Sequence, residues 1–286
     1  MKVLILGLGK SGTTALVYKM AGGLPDCLAF SGGLPGKYIG NYENAVYKHT
    51  YEPRKGKDFE LYREHLGKEH YDRKVWMARD PRDAAVSRML YRWHKGYKGR
   101  KKQFDAHLRL VLDKEQDPRR ISFCEICRYT GHKAWPTTME AVVEEERLRY
   151  QEMSEFVNSL GDDWFLYTYE EMVSKNFDRL NAYLGFDMAG DAQVPSGTGK
   201  DKVVRKKATG DWRHWFTAED VALLKAAYTP YMKIIGYDID DWELAAAPVI
   251  EPEFSSVYMQ SLPKKSTRNI ILRYLDPIVQ RLTKGN

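Results

Sequence analysis

The sequence predicts a three-layer α/β fold on a central parallel sheet, and three observations carry that reading. Short apolar runs of strand type alternate with helical patterns over residues 1–186, the signature of a parallel sheet with helices on both faces. The first run, Val3 to Leu6, feeds directly into a glycine-bearing loop that opens a helix. Finally, Lys10, His49, Arg79 and Tyr169 each follow one of four such strands. Sheets of this kind bind ligands at that end.

Taken in order, the loop after the first strand is Gly7-Leu8-Gly9-Lys10-Ser11-Gly12-Thr13-Thr14, and Ala15 to Met20 continues as a helix. The first backbone N–H groups of a helix lack internal partners and carry the positive end of its dipole. A strand–loop–helix junction is therefore an anion site. Gly9 and Gly12 allow close backbone approach, Lys10 adds a charge, and Ser11, Thr13 and Thr14 add hydroxyl donors. Gly22-Gly23-Leu24-Pro25 ends the helix. Cys27 to Phe30 reads as a second strand, Gly32 to Asn44 as an active-site loop, Ala45 to His49 as a third strand and Asp58 to Tyr71 as a helix.

Lys74 to Ala78 is a fourth strand running into Arg79-Asp80-Pro81-Arg82-Asp83, with Pro81 suited to a first helical turn. Residues 103–160 read as mostly helical, most clearly Val142 to Leu160. Trp164 to Thr168 is a strand, followed by a helix ending at Leu184-Gly185-Phe186. Thr217 to Tyr228 is a helix whose Thr217 and Asp220 resemble a capping box, with Asp in place of the usual Glu or Gln.

The 286 residues carry 45 Lys plus Arg against 39 Asp plus Glu, a net charge of +6. That balance favours anionic ligands and falls short of a nucleic-acid-coating protein. Three cysteines are too few for a disulfide framework. No apolar stretch approaches the roughly 20 residues that span a bilayer. The only apolar N-terminal run belongs to the phosphate loop, so the expected location is the cytoplasm.

The nucleoside-triphosphate loop G-x-x-x-x-G-K-[ST] places Lys after its last Gly, whereas here Lys10 precedes Gly12. Lys10-Ser11-Gly12-Thr13-Thr14 resembles the 5′-phosphosulfate loop of sulfotransferases that use 3′-phosphoadenosine 5′-phosphosulfate (PAPS). Three further segments follow in the family's order. Arg79-Asp80-Pro81-Arg82-Asp83-Ala84-Ala85-Val86-Ser87 is similar to its 3′-phosphate motif, where Arg and a Ser eight residues on reach that phosphate. Tyr167-Thr168-Tyr169-Glu170-Glu171-Met172 is similar to its Tyr-Glu-Asp-Met turn, implying that Tyr169 contacts the nucleotide. Arg205-Lys206-Lys207 with Gly210-Asp211-Trp212 and Phe216-Thr217 resembles the segment that closes on the 3′-phosphate. The resemblance covers roughly residues 1–235. Ala15 replaces a common Trp that stacks on adenine, and Lys207 replaces a usual Gly.

The resemblance implies a fold like that of the P-loop nucleoside triphosphatases, with additional helices, and PAPS as co-substrate, leaving 3′,5′-ADP. It implies nucleotide contacts from Lys10, Ser11, Gly12, Thr13, Thr14, Arg79, Ser87, Tyr169, Arg205, Lys206 and Lys207. The implied reaction is sulfuryl transfer to an acceptor hydroxyl or amine, with Lys10 on the bridging oxygen and no metal. Many family members carry Lys-x-His before the 3′-phosphate strand; here Lys48 and His49 are adjacent. On a regular strand the two point to opposite faces, so both reach one site only past the strand end. His49 is the expected base, with Lys48 beside it and Glu43 and Glu52 as alternatives.

Residues 1–245 are expected to form the catalytic domain, with a helical insert at about 103–160. Residues 246–286 are expected to be an extension packed on it or an amphipathic basic tail that contacts a membrane surface. Trp93, Trp135 and the basic run Lys95 to Lys102 favour a carbohydrate or glycolipid acceptor. Cys124 and Cys127, with His132, lack an evident fourth zinc ligand and read as helix packing. Gly197-Thr198-Gly199-Lys200 follows no strand and reads as a loop. The alternatives are a P-loop kinase of a small metabolite and a non-catalytic nucleotide- or polysaccharide-binding module.

Overall fold

The computed structural model describes residues 1–31, 42–51, 53, 64, 70–130, 135–195, 205–206 and 208–262. Most of the helix expected at 58–71 lies outside these residues. So do the expected loop at 32–40, Glu52, His132, residues 197–200, Lys207 and the tail beyond 262. The described elements are β1 (Lys2–Leu8), α1 (Thr13–Gly22), β2 (Leu28–Ser31), β3 (Ala45–Tyr51), β4 (Arg73–Ala78), α2 (Pro81–Tyr91), α3 (Lys101–Gln116), α4 (Phe123–Arg128), α5 (Met139–Asn158), β5 (Trp164–Thr168), α6 (Tyr169–Val173), α7 (Asp178–Leu184), α8 (Trp212–Trp215), α9 (Ala218–Ile235) and α10 (Ser256–Ser261). A 3-10 turn, Pro252–Phe254, precedes α10. Among the described residues no helix is long and apolar enough to cross a membrane.

The chain divides into two compact units. One comprises residues 1–79 and 158–195; the other comprises 80–157 and 205–262.

The first unit is a five-stranded parallel sheet in the order β2-β3-β1-β4-β5. β1 lies at its centre because Val3, Leu4, Ile5 and Leu6 are apolar on both faces and fully buried. On one face Val3, Ile5, Val46, Val75 and Met77 pack against Leu16, Val17 and Met20 of α1 and Leu180 and Leu184 of α7. In α1 the buried positions Thr13, Leu16, Val17, Met20 and Ala21 follow helical spacing. On the other face Leu4, Leu6, Tyr47, Tyr51 and Trp76 are buried as well. Both faces are therefore covered, as a parallel sheet requires. The expected α/β class with a central parallel sheet stands. β1 is flanked by β3, reached from the α1 side, and by β4 on the other side, so the chain reverses direction across the sheet at β1. That is where such sheets bind ligands.

The second unit is helical, and buried carboxylates tie its pieces together. Asp220 is fully buried. It caps its own helix α9, accepting from the Thr217 N–H at 2.8 Å and hydroxyl at 3.0 Å. The same carboxylate accepts from the Phe123 N–H at 2.7 Å and the Cys124 N–H at 2.8 Å, closing the start of α4. The expected capping box is thus present, and it serves two helices. Glu115 does similar work at the start of α10, accepting from the Ser256 N–H at 2.8 Å.

α9 runs to Ile235, past the boundary expected at Tyr228, with Pro230 inside it. Buried Tyr231 and Met232 hold the last turn against the core, so packing overrides the proline. The stretch after β5 forms two short helices, α6 and α7, where one was expected. Trp93, expected as part of a sugar platform, is only 2 % exposed. Its indole N–H donates to His107 Nδ1 at 2.8 Å. That bond fixes the Nε2–H tautomer, whose nitrogen lies 3.2 Å from Met89 Sδ.

Two outcomes follow for stability. Asp220→Ala strips partners from three backbone N–H groups and is expected to cost about 3–5 kcal/mol by denaturant unfolding. Burial, with Arg92 nearby, pushes the His107 imidazole down to about 3. The unfolded chain binds a proton there near pH 6.5 and the folded chain resists it, so unfolding binds protons in this window. The contribution of His107 to stability is full above about pH 6.5 and is lost as pH falls towards 3. A pH series of unfolding curves should show this loss in the parent and not in His107→Gln.

Candidate active site

The junction between β1 and α1 is an unusual turn. Lys10 has φ +77° and Gly12 φ +88°. A left-handed lysine costs about 1–2 kcal/mol, so the turn needs support. The Ser11 N–H and hydroxyl both donate to the Leu8 carbonyl, at 3.1 and 2.8 Å. Arg79 Nη1 donates to the Lys10 carbonyl at 2.9 Å. Among the described residues no side chain caps α1, and its first turn holds no acidic residue. The positive end of its dipole is therefore not neutralised by its own sequence.

Arg79 directly follows β4 and Tyr169 directly follows β5, so parallel pairing brings both to the end of the sheet where β1 delivers the loop. The Arg79 guanidinium lies 4.2 Å from the centroid of the Tyr169 ring. The same ring fills the space over Gly12: a Cβ there would stand 2.5 Å from Tyr169 Cδ2. Glycine at 12 is thus required twice, by its φ and by the ring. Arg79 is 6 % exposed, and its buried Nε has no hydrogen-bond partner among the described residues. A buried guanidinium edge in this state fits an anionic ligand atom.

Lys48 Nζ donates to Thr14 Oγ1 at 3.1 Å, on the α1 face of the sheet. Thr14 accepts there and keeps its own hydroxyl proton for donation. The Ser11 hydroxyl proton goes to the Leu8 carbonyl, so here the side chain shapes the loop. Thr13 is buried beside Gly7, its Cγ2 2.9 Å from where a glycine-7 Cβ would stand. Thr50 carries no expected role, yet its methyl lies 3.6 Å from the Cβ position of Gly9. Its placement follows from the pairing of Gly7 with Thr50 across β1 and β3, which motif spacing does not reveal.

β3 decides where three of the expected site residues stand. The strand extends to Tyr51, so Lys48 and His49 both lie within it, paired with Ile5 and Leu6. Alternation then sends them to opposite faces. Lys48 reaches the loop; His49, 4 % exposed, sits on the face of Tyr47 and Tyr51. The two do not converge past a strand end. Glu43 precedes β3, and its carbonyl accepts from the Met1 ammonium at the start of β1. The seven residues of β3 put it about 20 Å from the loop, at the wrong end of the sheet for a base.

The remaining expected contacts belong to the second unit. Ser87 is buried in α2. Arg205 Nη1 donates to Asp211 Oδ2 at 2.6 Å. Lys206 pairs with Glu251 at 2.9 Å, with both side chains partly exposed. Such a pair is worth about 0–1 kcal/mol and yields readily to a stronger anion. Cys124 and Cys127 lie on the short helix α4, and burial pushes both thiols up. Among the described residues no group of three or more His, Cys, Asp or Glu is placed to hold a metal ion.

Gly12→Ala should therefore destabilise the first unit by about 1–3 kcal/mol, combining left-handed strain with the clash on Tyr169. Thermal unfolding of Gly12→Ala against Gly9→Ala checks it; the position-9 variant, whose Cβ meets Thr50 at 3.6 Å and nothing nearer among the described residues, is expected to lose less.

No protein-family model matches the chain, and no curated protein matches it in sequence. Among solved structures, the crystal structure of mouse sulfotransferase SULT7A1 complexed with PAP is similar to it. That likeness covers 81 % of this chain and 84 % of the other, at 16 % sequence identity and a TM-score of 0.46.

Proposed function

We propose that this chain is a PAPS-dependent sulfotransferase, moving a sulfuryl group to an acceptor hydroxyl or amine. The observation that carries the reading is the buried Nε of Arg79, without a partner among the described residues, on a guanidinium that lies over the Tyr169 ring beside a helix start that no described side chain caps. An anion site with a second, adjacent cation suits a nucleotide that bears phosphates at both ends of its ribose. The order Lys10-Ser11-Gly12 and the three further motif segments support the same assignment. A kinase would need its lysine after the last loop glycine, where Thr13 stands.

In this reading PAPS supplies the sulfuryl group when bound, and the chain supplies placement and charge. The first N–H groups of α1 and the Thr14 hydroxyl hold the 5′-phosphate. Lys10 and Lys48 place positive charge where the leaving group becomes negative. Arg79 offers its Nε edge to the 3′-phosphate, and the Tyr169 ring backs that guanidinium. Ser87, Arg205, Lys206 and Lys207 are assigned to the same phosphate by their place in the sequence pattern. The acceptor proton goes to His49 or to Glu52, which directly follows β3 in sequence. With Trp93 buried, the carbohydrate or glycolipid reading rests on the basic run 95–102 and on Trp135, the more exposed of the two indoles.

Calorimetric titration tests the donor site. Micromolar or tighter binding of 3′,5′-ADP is expected, weakened about tenfold or more in Lys10→Ala and in Arg79→Ala. Equal affinity for ATP–Mg²⁺ would overturn the reading and favour a kinase. For the base, Glu43→Gln should keep turnover within about twofold. His49→Ala or Glu52→Gln should lower kcat about 100-fold with 3′,5′-ADP affinity unchanged. A large loss in Glu43→Gln would contradict the strand placement.

A further inference from the structure

Asp83 is a fully buried charge at the third position of α2. Both of its oxygens are committed to one short segment. Oδ2 accepts from the Gly210 N–H at 2.7 Å, and Oδ1 from the Trp212 N–H at 2.9 Å. These bonds clamp the main chain on either side of Asp211. Asp211 in turn holds Arg205 through Nη1 at 2.6 Å, and the same nitrogen reaches the Phe254 carbonyl at 3.3 Å. The Arg205 side chain is only 5 % exposed. Its Nε is buried and has no partner among the described residues. The guanidinium is thus gripped at Nη1, while its Nε is left without a partner among the described residues.

We propose that Asp83 is a positioning residue for the nucleotide 3′-phosphate, acting through the Gly210–Trp212 turn and Asp211 to aim the Nε edge of Arg205. The proposal rests on the sulfotransferase reading above. Its physical basis is the planarity of guanidinium: two-point recognition of phosphate fails when the fork is tilted or shifted by a fraction of an ångström. A carboxylate is suited to the clamp because it accepts on both oxygens. An amide in its place turns one acceptor into a donor that faces an N–H. Trp212 is held independently, since its ring stacks on the Arg82 guanidinium at 4.0 Å. The turn therefore keeps a packing anchor in Asp83→Asn, which loosens the aim of Arg205 and leaves the fold in place.

The test compares 3′,5′-ADP with 5′-AMP, which lacks the 3′-phosphate, by calorimetry on the full chain. Asp83→Asn is expected to weaken 3′,5′-ADP about tenfold and to change 5′-AMP by less than about twofold. In an Arg205→Ala background, adding Asp83→Asn is expected to make no further difference to 3′,5′-ADP. Equal losses for both nucleotides, an undiminished effect without Arg205, or unchanged affinity would each overturn the proposal. If Asp83→Asn fails to fold, Asp211→Asn carries the same expectation, and unchanged selectivity in it overturns the proposal. A parent chain that binds both nucleotides equally overturns the sulfotransferase reading itself, and the proposal falls with it. A parent that discriminates while Asp83→Asn discriminates equally overturns the role of Asp83 alone.

Discussion

The contact between Arg79 and the carbonyl of Lys10 is the interaction on which the turn after β1 depends. The chain leaves β1 through a lysine in the left-handed region, a conformation that an isolated peptide seldom keeps. Arg79 holds that carbonyl, Ser11 ties the turn back to Leu8, and the Tyr169 ring closes over Gly12. These supports come from three parallel strands that end side by side. The result is a helix start without a first-turn acid and without a side-chain cap among the described residues. Strain stored at such a position is the pattern of a binding site, because the surrounding structure must over-determine it. A single guanidinium thus serves the turn through Nη1, while its buried Nε has no partner among the described residues.

The second unit follows a similar logic with the signs exchanged. Asp83 and Asp220 each gather two backbone N–H groups from distant stretches of sequence, and Glu115 gathers one together with the Ser255 and Ser256 hydroxyls. A carboxylate that satisfies two or more buried donors rigidifies what it touches, because releasing any of them leaves an unpaired group. In Asp220 the consequence is the union of two helix starts. In Asp83 it is a defined path for the segment that carries Arg205.

Much of this was legible from the sequence, for identifiable reasons. Apolar runs bounded by polar turns located the five strands, and β5 matched to the residue. Local chemistry located the helix starts as well: Pro81 sits at the first helical position after Asp80, and Thr217 forms its box with Asp220. The anion loop was visible because strand, glycines and helix are contiguous. Features set by pairing between strands were hidden. The extension of β3 to Tyr51 reassigns Lys48 and His49 to opposite faces, and register alone decides it. Glu43 could not be judged without knowing which end of β3 it precedes. Trp93 read as a ligand platform because composition does not reveal that a buried imidazole waits for its indole N–H. The clamp by Asp83 was equally hidden, since its partners lie more than a hundred residues away.

The most direct test of the account is a crystal structure of the chain with 3′,5′-ADP. The account predicts the 5′-phosphate within about 3 Å of the first N–H groups of α1 and of the Thr14 hydroxyl, and the 3′-phosphate on the Nε edge of Arg79. A nucleotide bound with its 5′-phosphate away from the Lys10–Thr14 turn, or with Arg79 Nε still unpartnered, would contradict it.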